Sequence, residues 1–340
     1  MKRDSTYQFN IRPIQFLLDR QDVTEICINQ PCEVAVEAHN GWEWHDIPEF
    51  DLLTLETLAN SIAGFSHQDV NNKHPICSSI LPTGERVQIL IPPAVPIGTI
   101  SMTIRKPSST SMTLAEFRDK GLFNETKAQS GGISEIDKEL MVLRDAAEWV
   151  AFFTLAVRSR KNILISGATG SGKTSFSKGL LHLIPDHERI LTIEDTRELT
   201  LPHRNVVHMT YAKDGNGVMK AGAKELLESA LRMRPDRIML QELRDGTAFF
   251  YLRNVNSGHP GSITTVHANS AAGALEQLTL LVKESEAGSD LGRDDIRGLL
   301  RSLVDVIVQM KKFDPQGGEP AKYRMTEVFF EPATDMAAHT

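Results

Sequence analysis

The run Gly167-Ala168-Thr169-Gly170-Ser171-Gly172-Lys173-Thr174 constrains this chain more than any other feature. It fills the pattern G-x-x-x-x-G-K-[ST] completely. Glycines let backbone N–H groups crowd around a polyphosphate, the lysine meets the β and γ oxygens, and the hydroxyl that follows holds Mg²⁺. Such a loop works between a buried strand and a helix, and the pattern supplies both. Asn162-Ile163-Leu164-Ile165-Ser166 reads as the strand, and residues 173–184 carry apolar side chains at helical spacing. The loop, with Ser175 after it, therefore opens a helix N-terminus whose dipole favours anions. Gly167, Ala168, Thr169, Gly170, Ser171, Gly172, Lys173, Thr174 and Ser175 are expected to bind a nucleoside triphosphate.

From about residue 141 onward strands alternate with helices. Strand-like runs fall at 189–193, 206–210, 238–240 and 262–266, helical ones at 225–233 and 275–282, and residues 303–310 are apolar and β-branched. This predicts an α/β domain over 141–330, with a mostly parallel sheet and ligands at the carboxyl ends of its strands. Residues 1–107 read instead as a smaller α+β domain. Period-two alternation marks 23–28 and 33–38, and Asn40-Gly41 turns the chain before Trp42-Glu43-Trp44. A helix is expected over 52–62 and strands over 76–81, 86–91 and 99–105, with Pro92-Pro93 between the last two. Residues 108–140 start polar at 108–111 and include Ser130-Gly131-Gly132, so they read as an interdomain linker with some helix inside it. Residues 331–340 read as a flexible tail.

Composition excludes several classes. The 340 residues suit two domains, and a net charge of −7 argues against a broadly basic surface for coating nucleic acid. Cys27, Cys32 and Cys77 form an odd, sparse set without a CxxC pair, which gives neither a disulfide framework nor a zinc site. No apolar segment follows Met1-Lys2-Arg3-Asp4, and the most apolar stretch, 149–157, is too short to span a bilayer and reads as a buried helix. These features point to a cytoplasmic protein.

Two strands in the nucleotide domain end in acids. Ile190-Leu191-Thr192-Ile193-Glu194-Asp195 and Ile238-Met239-Leu240-Gln241-Glu242 both have the hydrophobic-strand-then-carboxylate shape that sets an acid beside Mg²⁺ or its waters. Hydrolysis needs one carboxylate in the metal shell and one that orients or deprotonates water. Glu194 is assigned to water and Glu242, with Thr174, to the metal; the reverse order stays open. A third block, residues 257–269, sets His259 and His267 on either side of a strand. His267 is a candidate for a hydrogen bond to the γ-phosphate or the lytic water. Its alternative role is to cap the helix that starts at Asn269-Ser270.

The phosphate loop, Ile193-Glu194-Asp195-Thr196-Arg197-Glu198-Leu199, Arg234-Pro235-Asp236-Arg237 leading to Glu242-Leu243-Arg244, and the Gly258-to-Asn269 block occur in one fixed order. They resemble the Walker A, Asp, Walker B and His boxes of the secretion-superfamily ATPases, and more closely the hexameric traffic ATPases of bacterial type IV secretion and conjugation systems. Gly84-Glu85-Arg86-Val87-Gln88 and Ile104-Arg105-Lys106 extend the likeness into the N-terminal half. Gln241 and Asp245 depart from it, standing where many members have glycine. The resemblance implies a RecA-like domain that hydrolyses ATP with Mg²⁺, in a homo-hexameric ring that powers transfer of protein or DNA and pilus biogenesis. It raises His267, and less firmly His259, to γ-phosphate sensors. It implies that Arg86 and Arg105 reach the phosphates from an N-terminal domain folded over the nucleotide, either its own or a neighbour's. Arg244 is a weaker candidate for a contact within or between subunits. Implied partners are the coupling protein, a second ATPase and channel proteins, at the inner face of the inner membrane, with no base-specific nucleic-acid contact. Two neighbouring classes fit less well. Many type II secretion and type IV pilus assembly ATPases carry a tetracysteine motif in the C-terminal domain, and this chain has no cysteine after Cys77. A RecA-like nucleic-acid translocase would need basic, aromatic pore loops, and Tyr211, Lys213 and Lys220 near Gly215 are too sparse.

Overall fold

The computed structural model describes residues 2–107, 112–126, 132–212, 218–256, 258–315 and 320–332. Residues 108–111, Ser130, Gly131, Lys213, Gly215, Ser257 and most of the tail, all named above, lie outside the described residues.

The N-terminal domain begins with α1 (Lys2–Ile11) and α2 (Gln15–Asp19), then β1 (Glu25–Gln30), β2 (Glu33–Ala38), β3 (Gly41–Asp46), α3 (Leu52–Phe65), β4 (Ile76–Ile80), β5 (Arg86–Leu90) and β6 (Ser101–Arg105). The six strands form an antiparallel sheet in the order β3-β2-β1-β6-β5-β4. Alternation gives the sheet two faces. Ile26, Ile28, Val34, Val36, Val87, Ile89, Met102 and Ile104 are buried in one core with residues of α1 and α3. The other face carries Glu25, Glu37, Ser78, Arg86, Gln88, Thr103 and Arg105, and it does not face water throughout. Much of it packs on the second domain.

Between the domains, α4 (Leu114–Asp119) buries none of its residues. The helix α5 (Glu135–Asp145) behaves differently. Ser134 caps it, Leu140 is fully buried, and Asp137 pairs with Lys161 at 2.6 Å. Arg144 also donates to the Phe330 carbonyl at 2.6 Å. Its apolar stripe is short and set among charges, so the sequence reads as linker where the chain has already joined the nucleotide domain. Residues 135–145, read from sequence as linker as far as 140, are thus packed against it.

The remaining elements are α6 (Trp149–Arg158), β7 (Ile163–Gly167), α7 (Lys173–Leu181), β8 (Ile190–Glu194), β9 (Val206–Thr210), α8 (Ala223–Ala230), β10 (Arg237–Leu240), α9 (Thr247–Asn256), β11 (Ile263–Val266), α10 (Ala271–Glu284), α11 (Arg293–Leu303), β12 (Val306–Phe313) and β13 (Lys322–Phe330). Strands β10-β8-β9 and β11-β7-β12-β13 form two sheet segments, parallel throughout except for β12 against β13. A bridge between Glu242 and Thr265, with Leu243 N–H donating to the Thr265 carbonyl at 2.8 Å, joins them at the carboxyl edge. Two apolar cores flank the sheet, one holding Leu226, Leu278 and Ile307, the other Phe152, Leu181 and Val308.

The seam between domains is polar and centres on a fully engaged arginine. Arg189, with no exposed surface, donates to the Met233 carbonyl (2.9 Å), Asn29 (2.8 Å), Thr103 (3.2 Å) and Asn205. Burial pushes its pKa down without a paired carboxylate. Farther along, Arg204 and Arg234 bond Glu33 and Glu37 while their guanidiniums lie 4.1 and 5.3 Å over the Trp44 and Trp42 rings. Among the described residues Cys27, Cys32 and Cys77 are all free, and no helix is long and apolar enough to cross a membrane.

Candidate nucleotide-binding site

Strand β7 delivers the chain to Gly167, where any side chain would collide. A Cβ there would sit 2.6 Å from the Met310 carbonyl oxygen and 2.4 Å from Ser171 Oγ. The loop closes at Gly172, whose φ of 92° lets it cap α7 in a conformation that L side chains avoid. Lys173 then points back into the loop. Its Nζ donates to the Gly167 and Ala168 carbonyls at 2.7 and 3.1 Å and lies 3.4 Å from His267 Nδ1. Burial lowers the lysine's pKa, partly offset by the Glu242 carboxylate.

An ammonium has only protons to offer, so His267 Nδ1 accepts and the ring's own proton sits on Nε2. That nitrogen lies 2.8 Å from Glu242 Oε1. Glu242 Oε2 is taken by Arg244, whose other arm reaches Asp195 at 3.1 Å. Lys173, His267, Glu242, Arg244 and Asp195 thus form one polar chain. With Thr169, Thr174, Glu198, Gln241 and Thr265 they line a cavity of about 340 Å³. A second hollow of about 620 Å³ lies along Gly170, Ser171, Gly172, Ser175 and Phe176, closed by Met310 and Tyr323.

Several positions differ from expectation. Glu194 does not line the cavity. It is 1% exposed, and its oxygens accept from Glu198 N–H (2.7 Å), Leu199 N–H (2.8 Å) and Thr192 Oγ1 (3.0 Å). Burial alone would raise its pKa. Bonding from the His208 ring, those two backbone groups and Thr192 outweighs that and holds the carboxyl below its ordinary range. An anion so well satisfied is a poor base. Glu194 instead fixes the turn that carries Asp195 and Glu198 to the cavity wall. His259 precedes β11 and approaches Pro235 and Asp236, whereas His267 follows the strand, so only His267 is on the loop's side of the sheet. The helix-capping role falls to Ser270, which accepts from Gly273 N–H at 3.0 Å and frees His267 from it. Arg244 makes its contacts within the chain.

Arg86 and Arg105 are not brought to the loop. Arg105 lies 3.3 Å from Glu25, and both arginines line a separate cavity with Ser78 and Arg232. Neither hollow beside the loop has a wall residue from the N-terminal domain. The sheet face that bears the arginines is docked on the β8 side of its own nucleotide domain, so this domain does not cover its own nucleotide loop. Sequence reasoning missed Tyr323 and Glu198 at the site, and no motif marks Tyr323.

Comparison with known proteins places this geometry. A family model described as type II/IV secretion system protein matches residues 52–325. The chain belongs to that family. It is 51% identical over 333 residues to a type IV secretion system protein VirB11 from Bartonella quintana, covering 95% of this chain and 92% of the relative. Identity to the Brucella suis VirB11 is 39% over 340 residues, covering 99% and 93%. The crystal structure of the VirB11 ATPase from the Brucella suis type IV secretion system, in complex with sulphate, superposes with a TM-score of 0.91 over 97% of this chain and 96% of that one.

Proposed function

We propose that this family member hydrolyses ATP and so powers a type IV secretion machine, working as a ring of identical copies. One observation carries the catalytic part. The carboxyl edge of the sheet gathers Lys173, Thr174, Glu242 and His267 into a single cavity around the phosphate loop.

The bound triphosphate takes over the lysine's partners. Its β and γ oxygens replace the Gly167 and Ala168 carbonyls on Nζ, and the loop's N–H groups and the α7 N-terminus meet the remaining charge. The Thr174 hydroxyl and the Glu242 carboxylate share one cavity, and they are the hard oxygen donors that Mg²⁺ takes alongside phosphate and water. When bound, Mg²⁺ neutralises charge developing on the phosphoryl oxygens. Glu242 would help hold it, with Oε2 engaged by Arg244 and Oε1 on the His267 side. His267, 3.4 Å from Lys173 Nζ and 2.8 Å from Glu242 Oε1, is placed to register whether the γ-phosphate is there. Asp195 and Glu198, held by buried Glu194, are the carboxylates available to orient water.

The placement of Arg86 and Arg105 supports the ring reading. They stand away from their own loop, so we assign them to the phosphates of a neighbouring copy, in a head-to-tail arrangement that closes by rotation. Because Arg189 bolts the two domains of one chain together, loss of the γ-phosphate moves one copy against the next rather than a lid over its own site. The test is phosphate release by wild type and Lys173→Ala. The variant should lose at least about 100-fold in turnover, the scale for removing a group that meets transition-state charge. Equal rates would sink the proposal.

A further inference from the structure

Between α8 and β10 the chain turns, and from this turn Arg232 reaches the N-terminal sheet. Its Nη1 donates to Ser78 Oγ at 2.9 Å. The Ser78 proton in turn goes to Gln88 Oε1 at 2.6 Å. With its oxygen engaged, the Gln88 amide has one orientation, and its Nε2 is left buried and unpartnered although the residue is only 2% exposed. A buried donor without an acceptor is costly, about 1–3 kcal/mol in general, and marks a place where a partner belongs.

Gln88 lines a cavity of about 580 Å³ together with Arg86, Arg105 and Arg232, its amide nitrogen buried behind the wall. Arg86 and Arg105 are register partners on adjacent antiparallel strands, so both leave the same sheet face. Arg105 has Glu25 at 3.3 Å, while neither Arg86 nor Arg232 forms an ion pair among the described residues. Three arginines line one cavity, with Glu25 beside Arg105 the one carboxylate paired with them among the described residues, and the unpartnered Gln88 amide lies in its wall. Such a set suits a multiply charged oxyanion.

We infer that this cavity holds the terminal phosphate oxygens of the nucleotide bound by a neighbouring copy, and that Arg232 and Gln88 belong to it alongside Arg86 and Arg105. This rests on the head-to-tail reading above. What Arg232 adds is a route onward. It belongs to the nucleotide domain, its neighbour Met233 is fixed by Arg189, and its turn runs into β10, beyond whose end lies Glu242. Phosphate held by Arg232 in one site is therefore linked through a single short strand to the metal-side carboxylate of the next.

Subunit mixing tests this. Arg232→Ala should lower steady-state phosphate release at least about tenfold, as loss of one charge-assisted donor to phosphate does. Mixed with Lys173→Ala, which keeps its arginines but has a dead loop, it should recover. In a head-to-tail ring of equal parts, about a quarter of the interfaces pair an intact loop with an intact cavity. Arg105→Ala mixed with Lys173→Ala is the control for the parent reading. Recovery in both mixtures supports the inference. Recovery with Arg105→Ala alone means that Arg232 serves only the seam, and overturns it while leaving the ring. Recovery in neither removes the head-to-tail reading and the inference with it. Wild-type turnover by Arg232→Ala overturns the inference outright. If Arg232→Ala does not assemble, Gln88→Leu, which keeps shape but loses the amide donor, carries the same test with the same outcomes.

Discussion

The seam between the domains and the cavity at the phosphate loop are built from the same residue types to opposite ends. In the seam, Arg189 has every arm taken by neutral acceptors and no contact with water, and Arg204 and Arg234 are both paired and stacked. At the loop, Lys173, His267, Glu242 and Arg244 share partners in a chain that the nucleotide can replace, and His267 and Arg244 stay 46% and 41% exposed. Full engagement of Arg189 holds the first together. Substitutable partners make the second responsive.

The sharpest way to separate the two is to remove one group from each. Glu242→Gln should reduce turnover by about 100- to 1,000-fold, with the urea midpoint little changed, since the amide still fills the space between His267 and Arg244. A turnover within a few-fold of wild type would take Glu242 out of the metal shell. Arg189→Met should do the reverse. It strands the Met233 carbonyl, Asn29, Asn205 and Thr103, so urea unfolding should show a loss of about 3 kcal/mol. A neutral result would mean that the seam does not depend on this guanidinium. Glu194→Gln lies between. The amide offers one acceptor where the carboxylate served two backbone N–H groups and Thr192, and a loss of about 1–2 kcal/mol is expected, with turnover falling less than in Glu242→Gln. If Glu194→Gln were the more damaging of the two to turnover at unchanged stability, Glu194 would be the water-activating acid after all.

The smallest effect concerns Glu25, on the seam face. Burial pushes its carboxyl up to about 7, against an ordinary 4.5, with Arg105 opposing. The folded state therefore keeps a proton that the unfolded chain has lost between those values. Stability contributed by this group declines as pH rises through the window from 4.5 to 7. Glu25→Gln should flatten that decline, so the variant gains on wild type from pH 5 to 8 in thermal melts. Parallel profiles would show that Glu25 titrates as it does in the unfolded chain.

What was legible in the sequence was local. A loop with its strand and helix, or an acid at the end of β10, announces itself within a dozen residues. Glu194 looked like Glu242 because both end apolar strands. Only the fold-back of residues 198 and 199 over its carboxylate separates them, and that depends on where the chain goes next. His259 and His267 looked alike for the same reason, since spacing does not say which end of a strand meets the ligand. The N-terminal alternation does form strands, yet Thr103 and Gln88 are buried toward a second domain, reached by Arg189 directly and by Arg232 through Ser78. Polarity on a strand face reports a need for hydrogen bonds, and Arg189 meets that need for Thr103 as well as solvent would. The placement of Arg86 and Arg105 away from their own loop follows from that docking, which no run of residues encodes.

The lysine's fallback on the Gly167 and Ala168 carbonyls bears on speed. A loop whose cation must stay naked once ADP and phosphate leave would cling to them. Here carbonyls 2.7 and 3.1 Å away can take the place of departing oxygens, so the ammonium is not stranded and nucleotide is held less tightly than it would be by a bare cation. The same exchange taxes arrival, because an incoming nucleotide must first unseat those contacts. A motor that cycles rather than stores its nucleotide gains from such moderated binding.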